Sequence, residues 1–130
     1  MIILTIRTDK PEAEVGLYDG RMQLAYETWP AHRQLAETVH RKIEALLEAQ
    51  AKSWKDLQGI VCFQGSGSFT GLRIGLTVAN ALSYSYQLPI VAAQDPVWLE
   101  TGLQRLLGGE NDTLALPYYG ADAHITLPKK

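Results

Sequence analysis

The segment 64–75, with the sequence QGSGSFTGLRIG, constrains the fold more than any other part of the chain. It joins an apolar run at residues 60–63 to a helix-patterned run that ends near residue 86. If the helix begins near Thr70, small residues recur at every fourth position and share one side of it. This small-residue row consists of Gly71, Gly75, Ala79 and Ser83. Glycine in a helix costs about 1 kcal/mol relative to alanine. The row therefore predicts close contact with another backbone, which is either the chain's own sheet or a partner's helix.

Before this segment, the sequence predicts three antiparallel strands and one long helix. Residues 2–6 are rich in β-forming side chains, and residues 14–18 and 22–28 flank Asp19-Gly20, a strong tight-turn signal. Apolar residues then recur with helical spacing at Leu35, Val39, Ile43, Leu46 and Leu47. This spacing predicts an amphipathic helix over residues 32–50.

After the segment, strands and helices alternate. We predict a strand at 60–63, a helix at 70–86 and a strand at 90–93. A third helix follows to residue 107, with Asp95-Pro96 as its cap and first-turn proline. Two further strands are expected at 113–116 and 123–127. The order β-β-β-α-β-α-β-α predicts an α/β fold with a mixed sheet and crossover helices.

Composition limits the classes of protein that this chain can represent. Its 130 residues, 46% hydrophobic and 20% charged, suit one globular domain. A net charge of −2 argues against an autonomous nucleic-acid-binding protein. The single cysteine, Cys62, cannot form an internal disulfide, which favours a reducing compartment. With no signal peptide and no membrane-length apolar run, we expect a cytoplasmic protein without membrane contact.

The glycine-rich turn has two interpretations. Gly65, Ser66, Gly67 and Ser68 could form a nest of backbone N–H groups that holds an anion, or a tight turn that needs positive φ. A phosphate-binding P-loop is excluded because no lysine follows the last glycine. The serines have no adjacent base, and the three histidines lack metal-ligand spacing. We therefore predict no catalytic residue and no metal site.

Residues 65–75, GSGSFTGLRIG, resemble the GPGSFTG(L/V)RIG signature of the TsaB family, also called YeaZ, with Ser66 in place of proline. The order of elements fits the same family over residues 1–127. The resemblance implies an actin-like ATPase, ribonuclease H-like subdomain, with residues 113–127 as the start of the second subdomain that usually follows. Family members usually end the first strand with Ile-Asp-Thr-Ser, whereas this chain has Ile6-Arg7-Thr8-Asp9. Arg7 cannot orient a metal-bound water, although as a cation it could meet a phosphate beside Thr8.

The resemblance also implies a function. TsaB proteins are non-catalytic partners of TsaD in the threonylcarbamoyl modification of tRNA adenosine 37. Their first two helices, here 32–50 and 70–86, contact TsaD, the ATPase TsaE joins the pair, and homodimers form without TsaD. The implied interface comprises Gly71, Gly75, Ala79, Ser83, Leu35, Val39 and Arg73. For Arg73, a salt bridge within the chain and one to a partner are equally compatible with the sequence. We expect no cofactor of its own, ATP or ADP only in the partner complex, and tRNA contact only through that complex.

Two alternatives stay open at this point. One is a nucleotide-binding, phosphotransferase-like ATPase of the actin-like superfamily, against which Arg7 and the missing second lobe count. The other is a stand-alone homodimer without a TsaD partner. In either case, a sheet edge left by a missing subdomain would be unpaired, and unpaired strands tend to recruit other chains.

Overall fold

The computed structural model describes residues 1–31, 34–65 and 69–118, and of Phe69 only the backbone. These residues contain a mixed five-stranded sheet with the strand order β3-β2-β1-β4-β5. Strands β1, β2 and β3 are antiparallel, whereas β4 and β5 run parallel to β1. The strands are β1 (Ile2–Arg7), β2 (Glu12–Asp19), β3 (Met22–Pro30), β4 (Gly59–Phe63) and β5 (Ile90–Ala93). The predicted mixed sheet is confirmed.

Three helices cover the two faces of this sheet. They are α1 (Leu35–Ala49), α2 (Phe69–Tyr86) and α3 (Trp98–Leu107). Helix α2 contacts Thr8 at the end of β1, whereas Gly102 of α3 lies against Val61 of β4. Because side chains alternate between faces along a strand, α2 and α3 lie on opposite sides of the sheet. Helix α1 lies beside α2.

Local sequence signals account for the first of these helices and the turn after it. The five apolar residues that predicted α1 are all buried against the sheet. Beyond α1, Ser53 and Asp56 form a capping box around the 3₁₀ turn Trp54–Asp56, and the Ser53 N–H donates to Asp56 Oδ2 at 2.8 Å. Among the described residues, no helix has both the length and the apolar character needed to cross a bilayer.

The predicted start of α3 is wrong. The helix begins at Trp98 and its N-cap is Val97, so Asp95-Pro96 lies before the helix and outside its first turn. The Asp95 carboxylate instead forms hydrogen bonds with Arg7, 88 positions away along the chain. The Asp95 carboxylate therefore binds the distant Arg7 guanidinium and does not cap the helix.

The predicted strand at 113–116 is also wrong. No strand is present at these residues, and Ala115 is held by one side chain of α2. Asn80 Nδ2 donates to the Ala115 carbonyl at 2.8 Å, and the Ala115 N–H donates to Asn80 Oδ1 at 2.8 Å. The asparagine amide thus replaces the neighbouring peptide group that a strand would need. The strand predicted at 123–127 lies outside the described residues.

Candidate functional site

At the carboxyl end of β1, the Arg7 guanidinium lies between two carboxylates. Arg7 Nε and Nη2 donate to the two oxygens of Asp9, at 2.7 and 3.2 Å. Arg7 Nη1 and Nη2 donate to the two oxygens of Asp95, both at 3.0 Å. Each carboxylate therefore binds the guanidinium through two oxygens, the geometry that planar arginine favours. We call these three residues the Arg7 trio.

Two aromatic side chains form the floor beneath the Arg7 trio. The guanidinium carbon lies 3.8 Å from the centre of the Phe63 ring and 5.9 Å from that of Trp98. The two rings meet edge to face with centres 5.8 Å apart. Only 11% of the Arg7 side chain is exposed. The cation is thus enclosed by carboxylates and an aromatic face, an arrangement that stabilises a positive charge out of water.

The surroundings of Arg7 fix its protonation state. Burial alone would lower its pKa, but the hydrogen bonds to Asp9 and Asp95 outweigh burial and hold the pKa above its ordinary value. The trio carries a formal charge of −1, and four of the five guanidinium N–H groups are engaged. The idea that Arg7 meets a phosphate is therefore unsupported, because its donors are committed and the trio as a whole repels an anion.

Thr8 packs beneath helix α2. Its Oγ1 donates to the Gly71 carbonyl at 2.6 Å. A side chain at Gly71 would place Cβ 2.5 Å from the Thr8 carbonyl oxygen, and one at Gly75 would overlap Thr8 Oγ1. Both glycines are therefore required by contact with the end of β1. Within the described structure, Thr8 contacts the helix backbone, and its predicted role as a nucleotide contact stays untested.

The small-residue row faces the chain's own core. Ala79 is fully buried, and Ser83 is 7% exposed and donates to the Leu88 carbonyl at 2.6 Å. Of the α1 residues in the implied interface, Leu35 and Val39 are also buried. Together with the contacts of the two glycines, this corrects the expectation that these residues admit a partner's helix. Their small size is explained by packing of α2 on the sheet.

Two further residues of the predicted sites are Gly65, before α2, and Arg73, within it. The Arg73 side chain is exposed on α2, and its contact with a partner stays a prediction. Gly65 has φ +121°, and a Cβ there would overlap the Tyr118 carbonyl oxygen. Gly65 thus has the positive φ that a tight turn needs, whereas its predicted anion contact stays a prediction. The predicted anion contacts at Ser66, Gly67 and Ser68 lie outside the described residues.

The outer surface of α1 and α2 retains an apolar stripe. Ile74 and Val78 are half-buried against the core, and Ala81 is exposed. These residues are four and three positions apart, so they lie on one side of α2. A cavity of about 310 Å³ opens beside Ile74, between the start of α2, the start of α1 and the end of β1. The Trp54 ring stacks on His40 of α1 and on Tyr86 at the end of α2, with ring centres 4.9 and 6.3 Å apart.

Reactive groups are few in the described structure. Within residues 1–31, 34–65 and 69–118, no three His, Cys, Asp or Glu side chains are placed to hold a metal ion. Cys62 is fully buried, and burial raises the pKa of its thiol to about 12. A thiol that stays protonated is a poor nucleophile, so Cys62 serves in packing.

Asp95, Phe63 and Trp98 are functional candidates that the sequence did not single out. One signal was available: a lone arginine at the end of an apolar strand requires a counter-charge, and Asp9 lies two residues away on the same side of the chain. The second counter-charge and the aromatic floor come from distant positions. Neither periodicity nor spacing could have found them.

The middle of the chain matches a known protein family. The family model described as TsaD, tRNA N6-adenosine threonylcarbamoyltransferase, matches residues 30–95, which is half of the chain. The chain belongs to this family. The matched segment contains α1, β4, α2 and β5, and therefore both helices of the implied interface.

Individual relatives agree with the resemblance to TsaB. The chain is 26% identical over 126 residues to the tRNA threonylcarbamoyladenosine biosynthesis protein TsaB of Escherichia coli (strain K12). This match covers 92% of the chain but 54% of the Escherichia coli protein. YeaZ from Pseudomonas aeruginosa superposes with a TM-score of 0.63 and 27% identity, over 73% of this chain and 45% of that one. The resemblance to TsaB (YeaZ) is confirmed.

The fold is shared more widely. Thermus thermophilus RuvC, solved in complex with a Holliday junction substrate, superposes with a TM-score of 0.53 at 12% identity, over 95% of this chain and 87% of that one. At this identity the likeness concerns the fold alone. Together with YeaZ, it confirms the ribonuclease H-like, actin-like ATPase fold. That residues 113–127 begin a second subdomain stays a prediction.

Proposed function

We propose that the chain is a non-catalytic partner of a TsaD-like protein in the threonylcarbamoyl modification of tRNA adenosine 37. The Arg7 trio is the observation that carries this proposal. At the end of β1, a buried cation replaces the carboxylate usual in TsaB, and both neighbouring carboxylates are bound to it. The guanidinium therefore competes with any metal ion or water molecule for the oxygens of both carboxylates. Such a site supports structure rather than chemistry.

The proposed partner surface is the outer side of α1 and α2. Since the small-residue row is buried, the surface left for a partner is the stripe Ile74, Val78 and Ala81 on α2, together with exposed residues of the neighbouring helix α1 such as Ala36 and His40. Apolar side chains at i, i+4 and i+7 are the pattern by which one helix packs against another. A TsaE-like ATPase would join this pair, and tRNA would be contacted through the complex.

The same surface would support homodimers when the TsaD-like partner is absent. In this proposal the chain acts in the cytoplasm without a cofactor of its own, and ATP or ADP is bound only in the complex. Because the small-residue row is buried, a substitution within it, such as Gly75→Leu, would not test this surface alone. The leucine side chain would collide with Thr8 and disturb the fold as well as the surface.

The test is co-assembly with the TsaD-like protein of the same cell, measured as complex mass by light scattering. Ala81→Glu places a charge on the exposed part of the stripe and should weaken association about tenfold or more, because a buried unpaired charge is costly at an interface. Thr101→Glu, at an exposed position of α3 on the opposite side of the sheet, is the matched control. Equal complex mass for the Ala81→Glu and wild-type chains would rule out this surface, and failure of the wild-type chain to associate would rule out the partnership.

A nucleotide-binding phosphotransferase is the competing function. Calorimetry with ATP and Mg²⁺ on the chain alone separates the two, because tight binding with turnover would favour the enzyme. The Arg7 trio leads us to expect neither, since its net negative charge disfavours a polyphosphate at the end of β1.

A further inference from the structure

Strand β5 forms one edge of the sheet, yet its outward-facing backbone groups are occupied. Hydrogen bonds to β4 use alternate residues, among them Pro89 and Ala93, whose carbonyls accept from Ile60 and Gln64. The backbone groups of Ile90 and Ala92 therefore face away from the sheet. An edge that presents such groups unpaired would be a template for another strand.

All four outward groups find partners in residues 105–112. The Ile90 N–H donates to Asn111 Oδ1 at 3.1 Å, and the Ile90 carbonyl accepts from the Asp112 N–H at 2.7 Å. The Ala92 N–H donates to Asp112 Oδ2 at 2.8 Å, and the Ala92 carbonyl accepts from Arg105 Nη1 at 2.8 Å. Side chains thus supply three of the four bonds that a neighbouring strand would have made.

The residues that cap the edge are themselves held in place. Arg105 Nε donates to Glu110 at 2.7 Å, and Arg105 Nη2 pairs with the Asp112 carboxylate. The hydrogen bonds that Arg105 donates to Asp112 and Glu110 raise the pKa of its guanidinium, so its charge is constant at any physiological pH. Asn111 Oδ1 also accepts from the Thr113 N–H at 2.8 Å. The cap is therefore a connected network with a fixed geometry.

We infer that Arg105, Asn111 and Asp112 form an edge cap that closes β5 to strand pairing, both with a second copy of this chain and with an extended peptide. The inference does not depend on the proposed function. It replaces the expectation of an open edge where a second subdomain would follow. With this edge closed, β5 offers no strand-mediated route to association, and a mutation that opens the cap should create one.

The test compares the wild-type chain with the double variant Asn111→Ala, Asp112→Ala by amide hydrogen exchange and light scattering. In the wild-type chain, the amides of Ile90 and Ala92 should be protected. In the double variant at low concentration they should exchange about tenfold faster, because each loses its acceptor. As the concentration rises, the mass of the variant should increase and both amides should become protected again by the new strand pair. Glu100→Ala, which removes an exposed carboxylate of α3 that is not part of the cap, should leave both measurements close to wild type.

Three outcomes would overturn the inference. Ile90 and Ala92 amides that exchange in the wild-type chain as fast as exposed loop amides would show that no cap exists. A double variant that exchanges faster but keeps the wild-type mass at all concentrations would show that the cap blocks nothing. An oligomer in which β3 amides, rather than those of β5, gain protection would place the association elsewhere. If the double variant fails to fold, Asp112→Ala alone and the wild-type exchange rates decide.

Discussion

Two arginines in this molecule have nearly the same partners and different surroundings. Arg7 lies between Asp9 and Asp95, and Arg105 lies between Glu110 and Asp112. The Arg7 side chain is 11% exposed and lies on an aromatic ring, whereas that of Arg105 is 26% exposed at the edge of the sheet. An arginine that binds two carboxylates can therefore contribute very differently to the free energy of unfolding, depending on its burial.

The two arginines differ in how exposed their carboxylate partners would be if the arginine were removed. Removing Arg7 would leave Asp9, whose side chain is 6% exposed, as a buried carboxylate without its partner cation. Removing Arg105 would leave two carboxylates that water can reach. Breaking a buried pair costs several kcal/mol because of the stranded charge, whereas exposed pairs contribute little. Arg7 therefore holds the fold together, and Arg105 chiefly organises the edge cap.

The largest expected effect follows from Arg7→Ala. We expect this substitution to lower the free energy of unfolding by about 3–5 kcal/mol, because it strands Asp9 and removes the contact with the Phe63 ring. Urea denaturation followed by circular dichroism measures the change. Arg7→Lys is the control: it keeps the charge but cannot bind two carboxylates through paired hydrogen bonds, so its loss should be intermediate. A loss below about 1 kcal/mol for Arg7→Ala would show that Arg7, like Arg105, contributes no more to stability than a solvent-exposed ion pair.

A smaller effect is expected for Arg105→Ala. The loss should be about 1 kcal/mol, made up of the hydrogen bond to the Ala92 carbonyl and two ion pairs exposed to solvent. Because salt screens exposed charges, the ion-pair part of this loss should shrink at high ionic strength, while the loss for Arg7→Ala should persist. The measurement is urea denaturation at low and high salt. A salt-independent loss as large as that of Arg7→Ala would contradict the assignment.

The smallest effect concerns Glu14, a carboxylate near Arg7. Burial alone would raise its pKa, but hydrogen bonds from Tyr26 at 2.5 Å and Lys10 at 2.9 Å, with the charge of Arg7, lower the pKa below its ordinary value of 4.5. A carboxyl whose pKa is lower in the folded state stabilises the fold above pH 4.5 and loses that contribution as pH falls through the folded pKa.

Glu14→Gln should therefore cost about 0.5 kcal/mol at neutral pH and reduce the loss of stability on acidification below pH 4.5. Urea denaturation across this pH range measures it. Glu12→Gln, which removes an exposed carboxylate from the same strand, is the control. Identical acid profiles for Glu14→Gln and the wild-type chain would show that Glu14 is not part of the charge balance around Arg7.

Periodicity alone was enough to predict most of the fold. The apolar residues of α1 recur every three or four positions, and each is buried as that spacing requires. Asp19-Gly20 gave the hairpin between β2 and β3 because a tight turn depends on adjacent residues only. The family signature gave the joint between β4 and α2, and Gly65 shows the positive φ that such a turn needs. These signals are local, so the sequence contains them in full.

The failures concern contacts between distant residues. Asp95 has the sequence context of a helix cap, and only the folded chain shows that it lies beside Arg7. Small residues on α2 indicate a close neighbour but not its identity, and here the neighbour is Thr8. Residues 113–116 were predicted to form a strand, although the partner of Ala115 is the side-chain amide of Asn80. The sequence thus indicated where close or paired contacts occur but could not say which group supplies them.

The contact of Thr8 with Gly71 and Gly75 fixes the position of α2 along its own axis. A screw displacement of the helix by one residue, a rise of about 1.5 Å with a rotation of about 100°, would place a bulkier residue such as Leu72 or Ile74 opposite the threonine. Such a displacement of the helix is therefore sterically disfavoured. A molecule that docks on the outer side of α2 would therefore meet side chains whose positions are already fixed. Binding would require no rearrangement of the sheet beneath the helix.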